Sequence, residues 1–229
     1  MLVKDWMSKP VVTVDANDSM QTAMKLMKEH GIRMLPVLKN GKLNGIVTDR
    51  DLKRTSASDA TTLAVHELLY IISTLKVEKI MTPKPITVPF DFTVEETAEV
   101  LLHHKISGAP VMDRKGNLIG IITESDLFRV IISLTGIGKK GIQFGFLLQD
   151  RPGSIKEVAD IIREFGGRLA SILTSYEKAP EGYRWGYIRM YGIDRSSVQA
   201  LTARLQENAK LLYMVDHREN KREIYSEDA

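Results

Sequence analysis

Cysteine is absent from the 229-residue chain. That excludes disulfides, thiol nucleophiles and thiolate-held metal. Net charge is slight, +3 at pH 7, too small to indicate nucleic acid or an anionic membrane surface as a partner. No apolar run approaches the ~20 residues of a membrane span. The opening MLVKDWMSKP has no apolar core of the signal-peptide kind. A cytoplasmic protein is therefore expected. The spacings G-x-S-x-G, H-E-x-x-H and G-x-G-x-x-G are missing, and with them three common catalytic or dinucleotide signatures. Of the five histidines (His30, His66, His103, His104 and His217), the adjacent pair leaves a helix in two different directions. No acid cluster completes a metal site beside it. We expect no catalytic residues, no metal and no cofactor.

What the chain does contain is one short stretch twice. Residues 45–52 read GIVTDRDL and residues 120–127 read GIITESDL. Both fit G-h-h-T-x-x-D-L, with h a branched aliphatic residue. The apolar pair suits a buried strand, and T-x-x-D suits the first turn of a helix. A helix start presents unpaired backbone N–H groups that can hold an anion. The Asp can accept two hydrogen bonds at once, as from a ribose diol. The same spacing is also a capping box, which would simply start a helix. The duplication extends further. Val3, Met7, Thr13, Val14, Ile32, Pro36 and Val37 recur at one constant offset as Val77, Met81, Thr87, Val88, Ile106, Pro110 and Val111. One residue is inserted in the turn that follows. A fixed period with its insertion confined to a turn marks a repeated supersecondary unit, which buries its apolar face against a second copy.

The run h-x-x-h-M, T-V, amphipathic helix, x-P-V and G-h-h-T-x-x-D-L resembles the cystathionine-β-synthase repeat, the CBS domain. Two in tandem resemble a CBS pair, or Bateman module, over about residues 1–135. The resemblance implies clefts that bind adenine nucleotides of the AMP, ADP and ATP class. In it the motif Asp holds the ribose and the Thr helps to hold the phosphate. The expected nucleotide-binding set is Thr48 and Asp51 in the first copy and Thr123 and Asp126 in the second, with Thr13 and Thr87, joined by Arg50, Arg54 and Arg129 because a basic side chain near a helix start favours phosphate. A regulatory sensor, not an enzyme, is the expectation, with the nucleotide as regulatory ligand. A ligand-free oligomerisation scaffold is the alternative.

Along the chain, residues 10–14 are β-branched and strand-like. A turn at 15–19 supplies a cap, and Met20, Ala23, Met24 and Met27 form one helical face. His30-Gly31 ends that helix. Asn40-Gly41 signals a tight hairpin. The segment 57–76 belongs to neither copy and carries Val65, Leu68, Leu69, Ile72 and Leu75 at helical spacing. Its apolar surface could pack at a dimer seam or cover a cleft. In the second copy Thr93 and Glu96 make a capping box, and Val94, Thr97, Ala98 and Leu101 take the helical face. The stretch GIGKKG at 136–141 lacks the Ser/Thr of a phosphate loop. It reads instead as a flexible linker.

Beyond the linker the apolar pattern gives β-α-β-β-α-β over 142–217, the ferredoxin-like split order. Ser196 or Ser197 can cap its second helix. The turn DRPGS at 150–154 is similar to the ACT domain family, which implies side-by-side pairing and an effector loop at Asp150, Pro152 and Gly153. Amino-acid-binding ACT domains commonly carry Asn after the first helix. Here Gly167 is followed by Arg168, which leaves pairing as the firmer implication and amino-acid sensing as a further alternative. The order CBS, CBS, ACT resembles bacterial acetoin-utilisation proteins.

The expected architecture is α+β: CBS repeats at 1–56 and 77–136 forming a pseudo-two-fold pair, a helical segment at 57–76, a linker at 137–141, an ACT domain at 142–217 and a solvated, partly disordered tail at 218–229. A homodimer or higher even oligomer is expected. The copies also differ. Arg50 and Lys53 in the first become Ser125 and Phe128 in the second. The first cleft is therefore expected to accept more phosphate charge, and the second to prefer AMP or adenosine-like ligands.

Overall fold

Both copies start their long helix by satisfying its orphan N–H groups. Ser19 accepts a hydrogen bond from the Thr22 backbone N–H at 3.1 Å, and α1 runs Met20–His30. In the second copy Thr93 and Glu96 exchange both bonds of a capping box, and α3 runs Val94–His104. The two helices bury Met20, Ala23 and Met27, and Val94, Thr97 and Leu101. Met24 was expected in the same face. It lies at the edge of the stripe and stays 42% exposed. Gly31 ends α1 at φ 63°, and Lys105 takes the same left-handed position after α3. The structure, a computed structural model, describes residues 1–59, 70 and 72–226.

Strands β2 (Met34–Lys39) and β3 (Lys42–Thr48) form the expected hairpin. Its turn residues Asn40 and Gly41 both have positive φ, 52° and 75°, as a primed turn demands. Helix α2 (Asp49–Asp59) follows at once. The second copy repeats this with β6 (Gly108–Met112), β7 (Leu118–Thr123) and α4 (Glu124–Leu134). The strands preceding the long helices are shorter than the β-branched runs suggested. β1 is Val14–Asp15 and β5 is Val88–Pro89, each parallel to the hairpin's first strand.

The copies exchange their lead-in segments. Val3 packs with Val88, Leu101, Val111 and Ile122 of the second copy, and Val77 packs with Val14, Met20, Leu35 and Val47 of the first. The backbone bonds are reciprocal. Val3 N–H donates to Phe92 O (2.9 Å) and Lys4 N–H to Phe90 O, while Val77 N–H donates to Asp18 O (2.9 Å) and Glu78 N–H to Ala16 O. β4 (Thr82–Pro83) joins the first copy's sheet beside β3, giving the order β1-β2-β3-β4. Neither repeat is closed without the segment that precedes the other, which is the physical reason for two copies. Val65, Leu68 and Leu69 of the expected helical segment lie outside the described residues. Ile72 and Leu75 are partly buried against the first core.

The chain divides into two units, Met1–Phe128 and Arg129–Ala229. In the second, β8 (Ile142–Gln149), α5 (Ser154–Glu164), β9 (Arg168–Ser175), β10 (Tyr183–Tyr191), α6 (Val198–Asn208) and β11 (Lys210–Asp216) follow the expected β-α-β-β-α-β order. The sheet order is β12-β11-β8-β10-β9 with every neighbour antiparallel. Alternation on β8 and β10 sends Phe144, Phe146, Ile188 and Met190 into one core with Val158, Ile162, Leu201 and Leu205 of the helices. Gln143, Gly145 and Leu147 pair across with Arg189, Tyr187 and Trp185 on the other face.

Three expectations for this unit need correction. Over its described residues the tail is not a free end: Lys221–Ile224 forms β12 against β11, and Tyr225 N–H donates to Leu212 O at 2.7 Å. Asn220, at φ 52°, turns the chain back, so a charged sequence still finds an edge to pair with. Ser197 holds the N-cap position of the second helix, but its side chain makes no capping bond. Asp194 caps the short turn before it, accepting from Ser196 N–H. The segment at 137–141 is not a loose linker. Ile137–Lys139 is a 3-10 turn, and the Thr135 carbonyl just before it accepts from Ser171 Oγ (2.9 Å) and Arg189 Nε (2.6 Å).

Candidate functional site

Each T-x-x-D motif stands where a central strand hands over to a helix. Thr48 ends β3 and Asp51 lies in the first turn of α2. Thr48 donates to Asp51 Oδ2 through its hydroxyl (2.6 Å) and through its backbone N–H (3.0 Å). Asp51 N–H returns a bond to Thr48 Oγ1 at 3.3 Å. The second copy repeats this. Thr123 donates to Asp126 Oδ2 from its hydroxyl (2.7 Å) and N–H (2.8 Å). The capping function is therefore present in both copies. It engages one carboxylate oxygen and fixes the direction of the other.

The other oxygens meet different neighbours. Asp51 Oδ1 accepts from Arg54 Nη2 at 3.3 Å, and the Arg54 side chain is 77% exposed against 15% for Asp51. Asp126 Oδ1 accepts from Ser8 Oγ at 3.4 Å, and Asp126 is only 1% exposed. The first box opens to solvent beside an exposed cation, whereas the second is closed over by the exchanged lead-in. Ser8 was not among the expected residues. Its role depends on a contact across more than a hundred positions, for which the motif holds no signal.

The remaining expected residues divide into two groups. Arg50 is exposed on the first turn of α2. Lys53 pairs with Asp49 at 2.8 Å along the helix, so part of its charge is already matched. Arg129 is exposed one turn beyond Asp126. Thr13 precedes β1, which is separated from β3 by β2, so it stands about 10 Å from Thr48 by strand spacing. Thr87 holds the same place before β5 and is exposed. The boxes thus bring Thr and Asp together in both copies, with Arg54 on the first Asp, and leave the outer Thr of each copy at the sheet edge.

The glycine that opens each motif has its own reason. A Cβ on Gly45 would collide with Met81, and one on Gly120 would collide with Met7. Both methionines come from the exchanged lead-ins. The M and the G of the repeat are therefore two halves of one contact, made across copies.

In the second unit, Asp150, Pro152 and Gly153 form the turn from β8 into α5. Asp150 N–H donates to Gly182 O at 2.8 Å, and Asp150 Oδ1 accepts from Tyr176 OH at 3.2 Å. Gly153 has φ 90°, a conformation open to glycine. Arg151 grips both oxygens of Glu157 (2.8 and 2.6 Å). That hydrogen-bonded pair holds the Glu157 carboxyl below its ordinary pKa.

Comparison with known proteins places the first unit. The CBS domain family matches residues 3–58 and 77–133. A CBS domain-containing protein of Dictyostelium discoideum is 36% identical over 135 residues, covering 58% of this chain and 93% of that protein. An inosine-5′-monophosphate dehydrogenase of Korarchaeum cryptofilum is 38% identical over 120 residues, covering 52% of this chain but 22% of the enzyme. A solved CBS domain pair in complex with 5′-methylthioadenosine and S-adenosyl-L-methionine is 33% identical with a TM-score of 0.49, covering 57% of this chain and 95% of that one. Among the described residues, no helix is long and apolar enough to cross a membrane, and no group of three or more His, Asp or Glu side chains is placed to hold a metal ion.

Proposed function

The chain belongs to the CBS domain family, and we propose that its paired repeats act as a regulatory sensor for an adenine nucleotide, binding the ligand without transforming it. The observation that carries this reading is the doubled Thr-Asp box. In each, a carboxylate is pinned at a helix start by its own Thr through one oxygen, and its second oxygen meets Arg54 in the first copy and Ser8 in the second. That second Asp oxygen suits a ribose diol, and the helix N–H groups and Arg54 suit a phosphate. The box on Thr48 and Asp51 is the more accessible and has Arg50 and Arg54 beside it. It is the site for the more highly charged nucleotides. The box on Thr123 and Asp126, closed by Ser8, takes AMP or an adenosine-like ligand once Ser8 moves aside.

Binding without turnover follows from what phosphoryl transfer requires: metal-held phosphates and a positioned nucleophile. The motifs offer ribose and phosphate recognition, with no Walker lysine-Ser/Thr pair. The match to the dehydrogenase spans about a fifth of that enzyme, which supports the pair as an accessory module. We assign the second unit as an ACT-like pairing domain, supported by its β-α-β-β-α-β order and its Asp150–Gly153 turn. Through it the protein forms a homodimer. The succession of modules favours a role beside acetoin utilisation.

A thermal-shift panel tests the sensor reading. A ligand that binds only the folded state raises the melting temperature by mass action. AMP, ADP, ATP or S-adenosylmethionine should do so, and free amino acids should not. Stabilisation by amino acids alone would transfer sensing to the ACT-like unit. No stabilisation by any of them would leave the scaffold reading. Sedimentation should give a dimer at micromolar concentration, and a clean monomer would remove the pairing assignment.

A further inference from the structure

At the end of the C-terminal sheet opposite the Asp150–Gly153 turn, the start of β8 and the ends of β10 and β11 enclose a cleft of about 560 Å³. Lys139, Lys140, Arg195, His217 and Arg218 line it beside Tyr191. Lys139 Nζ stands 5.5 Å from the Tyr191 ring centroid, the range of a cation–π contact. The acids at this edge are already engaged. Asp216 pairs with Arg195, its other oxygen accepts the N–H groups of Arg218 and Glu219, and Glu219 reaches Arg195 at 4.0 Å. Among the described residues, no acid is paired with Lys139, Lys140 or Arg218. His217 Nε2 is buried with no hydrogen-bond partner, although its backbone N–H donates to Gly141 O at 3.1 Å.

Two of the three glycines of GIGKKG have structural reasons here. A Cβ on Gly141 would strike the Met190 carbonyl on the neighbouring strand, and Gly136 sits at φ 64° against Ala170. The two lysines are exposed, unpaired by acids among the described residues, and set beside two arginines, an arrangement that costs repulsion and in which Lys139 gains the Tyr191 ring as a neighbour. Such a convergence of cations is stabilised by an anion. We propose that this cleft binds a compound carrying linked phosphates, a di- or triphosphate. Three cations without acid partners call for more charge than one carboxylate carries. Arg218 can fork onto phosphate oxygens while the lysines act as point charges. The volume lies within the range of small-molecule sites. The site lacks the helix start and Ser/Thr of a phosphate loop, so it holds the ligand and does no chemistry on it. It stands independently of the reading of the repeat pair.

The probe is inorganic tripolyphosphate, which has neither ribose nor base, titrated calorimetrically into the full chain at fixed ionic strength. Lys139→Ala/Lys140→Ala and Arg218→Ala change exposed side chains and should leave the melting temperature in place. Each should weaken tripolyphosphate by roughly tenfold or more, the equivalent of one lost charge-assisted contact. Arg50→Ala/Arg54→Ala, at the repeat pair, should not weaken it. On that last background, ATP binding as tightly as tripolyphosphate would mean the cleft reads the phosphate chain alone. Tighter ATP binding that is lost with Lys139 and Lys140 would mean a nucleoside polyphosphate is the ligand. The proposal is overturned if tripolyphosphate produces no binding heat, or if its affinity follows Arg50 and Arg54 and ignores Lys139, Lys140 and Arg218.

Discussion

Met81 occupies the space that any side chain at Gly45 would need. The two residues come from different repeats, and Met7 and Gly120 form the matching contact. Gly45→Ala should therefore overpack the junction and destabilise the protein by about 1–2 kcal/mol. Shortening the partner should relieve part of that cost. In a Met81→Ala background the same substitution should cost at least ~0.5 kcal/mol less, a coupling that denaturant midpoints can resolve. Strictly additive effects would mean the contact does not hold the exchanged segments in place.

Much of this was legible because local chemistry decided it. Asn40-Gly41 could only turn one way, and Thr93 with Glu96 could satisfy each other within one helical turn. The Thr48–Asp51 and Thr123–Asp126 boxes were readable for the same reason. What sequence could not supply were partners far along the chain. The exchange of Val3 and Val77 between cores, the Ser8 cover on Asp126, and the pairing of Lys221–Ile224 with β11 depend on where folding brings two distant segments. A charged tail that pairs at a sheet edge looks the same in sequence as one that does not. The hold of Arg189 on Thr135 is a further case, because no spacing rule links positions 54 residues apart.

Arg189 is 3% exposed, and burial pushes its guanidinium pKa below the ordinary value. It donates to the Thr135 carbonyl at 2.6 Å and to Gln143 Oε1. Arg189→Ala would leave both acceptors short of a charged donor. It should cost about 2–3 kcal/mol by chemical denaturation. Arg163→Ala, an exposed cation of the same unit, should cost under ~0.5 kcal/mol. Equal losses would mean that Arg189 is not what anchors the entry to the sheet.

His217 has a folded pKa lowered from 6.5, first by burial and then by Arg189 and Arg222, with Asp216 partly opposing. As pH falls through 6.5, the unfolded chain takes up a proton that the folded one resists, so stability is lost on acidification. The carboxylates whose pKa values are lowered, Glu78, Glu157 and Asp160 among them, act in a separate window. Their contribution is present above their unfolded values, about 4 to 4.5, and is lost below. Melting temperatures measured between about pH 7 and 5 should fall, and His217→Gln should flatten that slope. An unchanged slope would assign it to other groups.

The central claim is that the two Thr-Asp boxes are nucleotide clamps, the first the more tolerant of phosphate. Calorimetry of AMP and ATP on the wild type, Asp51→Ala and Asp126→Ala tests it most directly. Each substitution should remove a ribose contact worth about 1.5–3 kcal/mol, roughly a ten- to 150-fold loss of affinity. A melting curve for each variant separates this from the loss of the cap. ATP should suffer more from Asp51→Ala, and AMP more from Asp126→Ala. If Asp51→Ala leaves ATP affinity unchanged while Asp126→Ala abolishes it, the assignment of the boxes is contradicted. If neither changes any nucleotide's affinity, so is the claim that they are clamps at all.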